Sequence, residues 1–597
     1  MTSQRSLSPW VGLGCGLALV TALGVPGHAQ ELVKNINAVS TGGGTDSSSG
    51  VSLITPLGDR FVFTADDGIH GDELWVSDGT EAGTQMVVDL TEDGSTFQGW
   101  HEIVALGDRA LFSHDDNVFG EELWITDGTE AGTHMVIDLR LNGDSDPQFL
   151  TVWRDELYFS ADVFATGREL YATDGTAAGT RLVKDLDTGF SDGSPWGGVA
   201  HDGLLYFAAT QDVTGRELWI TDGTTAGTRL LIDLAPGPVT GLIWSGGGAA
   251  AVSLGDHLYF QGNDGSGDFE LYRTDGTPGG TALVADINPS GHSQPSAFVV
   301  AADRIVFRAF KDVDWNYFGS DGTTVEQLTF PPVDVNTNWL LGSIGDLAIG
   351  MVRGDGFSFE LLGTDGTAAG TQIIQQIHPD GTEFVNFRAW KATSSPELLF
   401  PAGDDVVGSE MWVTDGTTAG TMPLMDLNPG PANASPANAE RMGDHVYFVA
   451  FDPQTSWELY RVPIDLFEGW VAEPFGVGCP GSSGVSPTLS ATGSAALGGT
   501  LVLELDLAAP SSVVSHYLSF SFGSWSFSGC DIYLGAPVLL ASGVTDVDGR
   551  SDLALPIPQS AALQGLQVWI QSTVADPGGS ILGAASLTSA LELILGS

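Results

Sequence analysis

The sequence predicts an all-β chain: a β-propeller of nine four-stranded blades, or eight if its weakest unit is absorbed, followed by a β-sandwich domain. Three observations predict it. The first is a repeat. The stretch "GDELWVSDGTEAGTQMVVDL" (Gly71–Leu90) returns as "GEELWITDGTEAGTHMVIDL" from Gly120, "GRELYATDGTAAGTRLVKDL" from Gly167 and "GRELWITDGTTAGTRLLIDL" from Gly215. Further copies start at Phe269, Glu360 and Ser409, a degenerate one covers Tyr317–Leu328, and "WELYRVPIDL" ends the series at Leu466. The motif glutamate falls at Glu73, Glu122, Glu169, Glu217, Glu270, Glu360, Glu410 and Glu458, with Asn316 as its equivalent, so the period is 44 to 53 residues. A repeat of this length is a supersecondary unit that buries its apolar faces against its neighbours.

The second observation is the content of each unit. In the first, "VSLITPL" (Val51–Leu57), "RFVFTA" (Arg60–Ala65), "ELWVS" (Glu73–Ser77) and "TQMVVDL" (Thr84–Leu90) are short runs rich in Val, Ile, Phe, Trp and Thr, bounded by Gly and Asp. Such runs read as strands, and four antiparallel strands per unit is the pattern of a propeller blade. The third is composition: 80 glycines and 16% charged residues in 597 suit many strands joined by tight turns.

The elements follow in chain order. Residues 1–29 read as a signal peptide, with Arg5 before the apolar run Val11–Val25 and small residues at Gly27 and Ala29 ahead of the expected cut. Residues 30–466 form the repeat domain. Its last unit lacks a DGT turn and a fourth strand, and "ELVKNINAVSTGG" (Glu31–Gly43) is similar to the fourth-strand segment Ala282–Ser293. An N-terminal strand that completes the last blade closes the ring and removes a sheet edge. Residues 467–486 read as a Gly-, Pro- and Ser-rich linker, and residues 487–597 alternate apolar and polar positions as a β-sandwich does. After signal removal only Cys479 and Cys530 remain, and in an exported chain they are expected to form one disulfide. No segment after residue 29 is apolar enough over eighteen residues to span a membrane as a helix, so the mature chain is expected to carry no transmembrane segment.

The repeats resemble the ELWxxDGT repeat of exported bacterial proteins, over roughly residues 31–466. That resemblance implies a secreted, propeller-like architecture and brings no catalytic residue with it. The segment after "GVGCPGS" (Gly476–Ser482) resembles C-terminal modules appended to exported bacterial proteins, which implies a role in sorting or surface attachment.

The net charge of −54 excludes nucleic acid as a partner, because such a surface repels phosphate, and it favours cations or basic partners. Asp78, Asp127, Asp174, Asp222, Asp275, Asp321, Asp365 and Asp415 each precede Gly-Thr. An aspartate there accepts a backbone N–H two residues ahead, while glycine takes the conformation a tight turn needs. Eight equivalent copies point to turn chemistry, since a catalytic site needs one asymmetric constellation. The motif glutamates read as repeated inter-blade hydrogen-bond acceptors, and the aromatic at 75, 124, 171, 219, 272, 412 and 460 as packing between blades. The histidines read as surface or turn residues. No GxSxG elbow or paired-histidine zinc motif is present.

Variation between repeats concentrates in the strand 2–3 loops and the connectors between blades, which share one face of a propeller. Binding sites on a rigid scaffold sit in such loops. Asp66, Asp67, Asp115, Asp116, Asp162, Asp264, Asp404 and Asp405 lie in these loops, and the sequence marks them as a candidate face for a cation, Ca²⁺ included, or for a cationic ligand. The function these features lead one to expect is a secreted, non-catalytic repeat scaffold for binding or cell-surface interaction, with an unknown protein, glycan or cation as partner. The alternative is a polysaccharide-acting hydrolase or lyase on the same scaffold, with acids on the variable face.

Overall fold

In the computed structural model the chain forms two compact units, Gln30–Val471 and Ala472–Gly596. The structure describes residues 31–463 except 39–46, 91–101, 142, 190, 245–250, 330–339, 354–358, 379–396, 405–407, 419, 425–426 and 429–431. Between 474 and 595 it describes the strands and a few flanking residues. The expected signal peptide, Asp405 and Cys479 lie outside the described residues.

The first unit is a nine-bladed propeller. Blade 1 shows how each is built: Ser52–Leu57, Arg60–Asp66, Asp72–Ser77 and Gln85–Val88 pair antiparallel in sequence order, from inner to outer edge. The two middle strands are buried almost throughout, because a neighbouring blade covers each face. Hence they read as near-continuous apolar runs, as sheets covered on both sides do. The weak unit near position 316 is a complete blade, Ser296–Ala301, Arg304–Lys311, Asp314–Ser320 and Val325–Gln327, so the count is nine and not eight. In blade 8 the described strands are the second to fourth, Leu398–Asp404, Gly408–Thr414 and Met422–Pro423.

Nine clusters of buried apolar side chains hold the ring, and each spans two consecutive blades. Within them sit the motif aromatics. Trp219 packs with Phe149, Trp153 and Tyr158 of the preceding blade, and Trp412 likewise with Ile349 and Met351 of the blade before it. The cluster between blades 9 and 1 joins Tyr447, Val449 and Leu459 to Phe61, Phe63 and Trp75.

Ring closure uses the N-terminal strand. Glu31–Lys34 pairs antiparallel with Ser456–Pro463 as the outer strand of blade 9. The motif glutamate of that blade, Glu458, then accepts the backbone N–H groups of Ile36 and Asn37 at 3.1 and 3.3 Å. Arg461 ties Glu31 to the same strand through Nε at 2.9 Å and donates to the Gly79 carbonyl of blade 1 at 2.8 Å. Lys34 Nζ reaches the Thr84 carbonyl of blade 1 at 2.6 Å. An edge that would otherwise be open is thus paired and pinned to its neighbour.

The second unit is a β-sandwich. One sheet orders Pro474–Phe475, Ala585–Leu595, Leu566–Ala575, Val513–Ser519 and Val538–Val544; the other orders Thr488–Gly493, Thr500–Asp506 and Ser551–Pro556. Pro474–Phe475 lies inside the span expected to be linker, yet it pairs with Ala590 and Leu591 as an edge strand. Cys530 opens the strand Cys530–Leu534.

Candidate functional site

The antiparallel order of each blade sends the strand 1–2 and 3–4 turns to one face and the strand 2–3 loops and connectors to the other. On the first face the DGT aspartates form eight copies of one turn. Each carboxylate accepts the N–H of the threonine two residues on and that threonine's hydroxyl, as Asp78 does from Thr80 at 2.9 and 2.7 Å. Asp127, Asp174, Asp222, Asp275, Asp321, Asp365 and Asp415 repeat both bonds. The threonine hydroxyl beside Asp78, Asp174, Asp222 and Asp275, with the threonine N–H, holds their carboxyls below the usual range. A carboxylate so committed and so weakly basic makes a poor general base.

The second glycine of each turn has a steric reason. A Cβ on Gly83 or Gly179 would overlap the carboxylate of Asp78 or Asp174 folded over it. Gly179→Ala is therefore expected to destabilise the propeller by roughly 1–3 kcal/mol, the usual cost of overpacking. Thermal melts check this. Combining it with Asp174→Ala makes room for the methyl group, so the double variant should lose less than the sum of the single losses.

Seven of the eight motif glutamates are buried: Glu73, Glu122, Glu169, Glu217 and Glu458 are fully shielded, Glu270 and Glu410 nearly so, and Glu360 is half-buried. Their work differs from the inter-blade bond expected. Each of the seven buried ones accepts N–H groups of the segment that leaves its own blade's fourth strand for the next blade. Glu169 takes Leu186 N at 2.6 Å and Gly193 N at 3.0 Å; Glu217 takes Leu234 and Ala235; Glu270 takes Ile287 and Ser293. In blade 6 Asn316 takes the position, accepting from the Thr329 hydroxyl. Burial pushes the carboxyls of Glu122, Glu169 and Glu217 up to about 7, against the hydrogen bonds that favour their charged form.

On the loop face the predicted acids do not converge. Asp66 caps Gly68 N at 2.6 Å. Asp67 caps Ile69 and His70 N, both at 2.9 Å, and meets the His70 ring at 2.8 Å. Asp115 caps Asn117 N; Asp116 caps Val118 and Phe119 N; Asp264 caps Ser266 N. Asp162 pairs with Arg140. Asp404 ends a second strand opposite Gly408. Among the described residues no three His, Cys, Asp or Glu side chains are grouped as a metal ion requires, so the Ca²⁺ reading of these acids finds no site there. The acids build their loops.

What those loops hold out was not read from the sequence. Ile69, Val118, Phe119, Phe164, Val213 and Val313 stand exposed at the tips of strand 2–3 loops. A signal existed: Ile69, Val118 and Val213 each lie four residues before the motif glutamate, in loops otherwise polar.

Two histidines expected at the surface are interior. His114 is fully buried in the second strand of blade 2, edge-on to Trp124, and burial lowers its pKa to about 4. His201 ends an inner strand and bonds Ser253 of the next blade at 2.6 Å. Six of the seven motif aromatics, Trp75, Tyr171, Trp219, Tyr272, Trp412 and Tyr460, are buried between blades, which leaves those rings no face for a sugar, and Trp124 is half-buried against His114.

No protein-family model and no curated protein matches this chain. Among solved structures it is similar to one from a study of two prolyl endopeptidases, with 11% identity, 59% of this chain and 54% of that one covered, and a TM-score of 0.34. It is also similar to oligopeptidase B from Trypanosoma brucei, with 12% identity, 62% and 54% covered, and a TM-score of 0.34. A third is the β-propeller domain of the Trilobed protease from Pyrococcus furiosus, with 11% identity, 55% and 99% covered, and a TM-score of 0.29. The chain spans about half the length of the first two. The peptidases among these solved structures count against the expectation of a non-catalytic scaffold and of a chain more likely not an enzyme, and that expectation is withdrawn. A regular propeller is no mark of a protein without catalysis. At this level of similarity no activity passes to this chain, because function lives in sites and not in the fold.

Proposed function

We propose that this chain is an exported protein of the ELWxxDGT-repeat kind whose propeller recognises a polypeptide on the face made by its strand 2–3 loops and blade connectors. One observation carries the reading: the two faces differ in kind. On the turn face the same hydrogen bonds recur in eight turns and use the aspartates up. On the loop face the sequences diverge, and large apolar side chains stand exposed at the loop tips. Burial of the motif aromatics speaks against a stacked sugar. Export is supported by Arg5, the apolar run Val11–Val25 and the small residues at Gly27 and Ala29, and a Cys479–Cys530 disulfide fits that compartment. The C-terminal sandwich suits sorting or attachment at the surface.

An array of short synthetic peptides, incubated with the full chain, tests the reading. Replacing the loops 66–72 and 115–121 by Gly-Ser linkers should abolish binding to the retained peptides. Changing Asp59 and Asp108 on the opposite face to serine should leave it intact. Equal binding by all three proteins would rule the loop face out. Analysis of the bound peptides for new N-termini reads peptide-bond cleavage in the same experiment.

A further inference from the structure

Every large apolar side chain of the propeller that is at least 70% exposed, among the described residues, lies on the loop face. Ile69, Val118, Phe164, Val213 and Val313 are exposed by 71, 74, 78, 70 and 80%, and Leu141, in the connector after blade 2, by 78%. Five of these six occupy the tip of the strand 2–3 loop in blades 1, 2, 3, 4 and 6. The corresponding loops of blades 7 and 8, residues 354–358 and 405–407, lie outside the described residues. Blades 5 and 9 carry Ser266 and Gln454 instead. Scattered exposed apolar residues need no explanation, whereas a recurrent ring of them on one face marks an interaction surface.

The tips are preformed. Asp67 Oδ1 accepts both Ile69 N and His70 N, and Asp116 Oδ1 accepts Val118 N at 2.9 Å and Phe119 N at 2.8 Å. In blade 3 Thr166 N closes a turn onto the Val163 carbonyl at 3.0 Å, with Phe164 at its apex. Loops fixed in this way lose little entropy when a partner arrives. The capping acids stand beside the apolar tips, and in blades 4 and 6 the exposed Asp212 and Asp312 adjoin Val213 and Val313 directly. Cations on this face are largely engaged: Arg140 pairs with Asp162, and Arg168 with Asp146. Apolar knobs set among carboxylates, on a chain of net charge −54, suit a partner that brings apolar side chains and positive charge together. A second copy of this chain, or an anionic membrane, would meet like charge.

We propose that the loop-tip residues Ile69, Val118, Phe119, Phe164, Val213 and Val313 form an acidic, apolar-studded docking crown for a cationic amphipathic polypeptide. This rests on the loop face being the ligand face and adds the chemical class of the ligand. The partner's apolar side chains pack on the tips, and its Lys or Arg side chains reach the neighbouring aspartates, which selects against neutral and acidic chains.

The probe is a synthetic amphipathic peptide of leucine and lysine, titrated into the full chain by calorimetry. Its companions are oligolysine of equal charge, the same peptide with glutamine for lysine, and phosphatidylcholine vesicles. Leucine–lysine peptide should bind best, and Ile69→Ser/Phe164→Ser/Val213→Ser should weaken it by at least about tenfold, as loss of several anchors does. These side chains are exposed, so the triple variant should keep its melting temperature. Equal binding of oligolysine, an unaffected triple variant, preferential binding of vesicles, or no binding of the leucine–lysine peptide would each overturn the crown. If array peptides still bind through the loops while this probe does not, the crown fails and the loop-face reading stands.

Discussion

Replacing Glu458 by alanine is expected to open the propeller at the seam between blades 9 and 1. Elsewhere the covalent chain carries each blade into the next; here the N-terminal strand Glu31–Lys34 joins blade 9 without a covalent link, by strand pairing and side-chain hydrogen bonds. The Glu458 carboxylate receives the N–H groups of Ile36 and Asn37, and both residues are buried. Each N–H left buried and unpaired costs about 1–3 kcal/mol, so the pair is worth roughly 2–6 kcal/mol at the seam. Hydrogen exchange should accelerate selectively over residues 31–37, and limited proteolysis should remove that segment. Glu169→Ala is the control. It strips the same kind of acceptor from Leu186 and Gly193, but its strand is tethered covalently on both sides. It should lower the denaturation midpoint without releasing a strand. Wild-type exchange at residues 31–37 in Glu458→Ala would show that the glutamate is not the clasp.

Acidification from about pH 8 to about pH 5 is expected to raise the propeller's stability. Glu122, Glu169 and Glu217 are lifted by burial from the usual 4.5 to about 7, and Glu440 to about 6. Such groups bind protons more tightly folded than unfolded. The stabilisation is fully present below the unfolded value and is lost as pH rises through the folded one. His114 opposes this: with a folded pKa of about 4 against 6.5, it withdraws stability as pH falls through that window. Below about pH 4 the DGT aspartates, held low by their threonines, also withdraw theirs. The maximum should therefore lie on the acid side of neutrality. Relief of surface repulsion acts in the same direction, but salt screens it and leaves buried groups nearly untouched. Urea denaturation in high salt should keep a rising midpoint from about pH 7.5 to about pH 5, and Glu169→Gln should reduce the slope. A flat profile in high salt would refute the buried-glutamate origin.

The two predictions draw on one motif position, and it shows where reading the sequence stops. Recurrence of "ELW" and "DGT" at a period near fifty residues was enough to reach a ring of four-stranded blades and its N-terminal closure. Periodicity is a local signal copied many times, and both the strand runs and the Asx turns depend on residues within a few positions of one another. Recurrence also separated the DGT aspartates from catalysis. Asp78 in its first copy looks like an acid beside a tryptophan; the structure commits it to two bonds with Thr80, which seven other turns repeat.

Other features were not legible because they depend on partners far along the chain. That Glu458 grips Ile36 and Asn37, more than four hundred residues away, exists only once the ring is closed. His114 sits in a run whose second strand is covered on both faces, so alternation gave no warning that it is interior. The loop acids were visible as carboxylates, but sequence does not tell an acid that faces a ligand from one that turns inward to cap its own loop.

By itself, then, the sequence determined the blades, their turns and the class of the fold, since those rest on short-range hydrogen bonding and on apolar periodicity. The tertiary structure alone decided between nine blades and eight, which glutamates are shielded enough to titrate near neutrality, and that exposed apolar tips gather on one face. Burial and shared orientation are properties of the closed ring, and no single repeat possesses them.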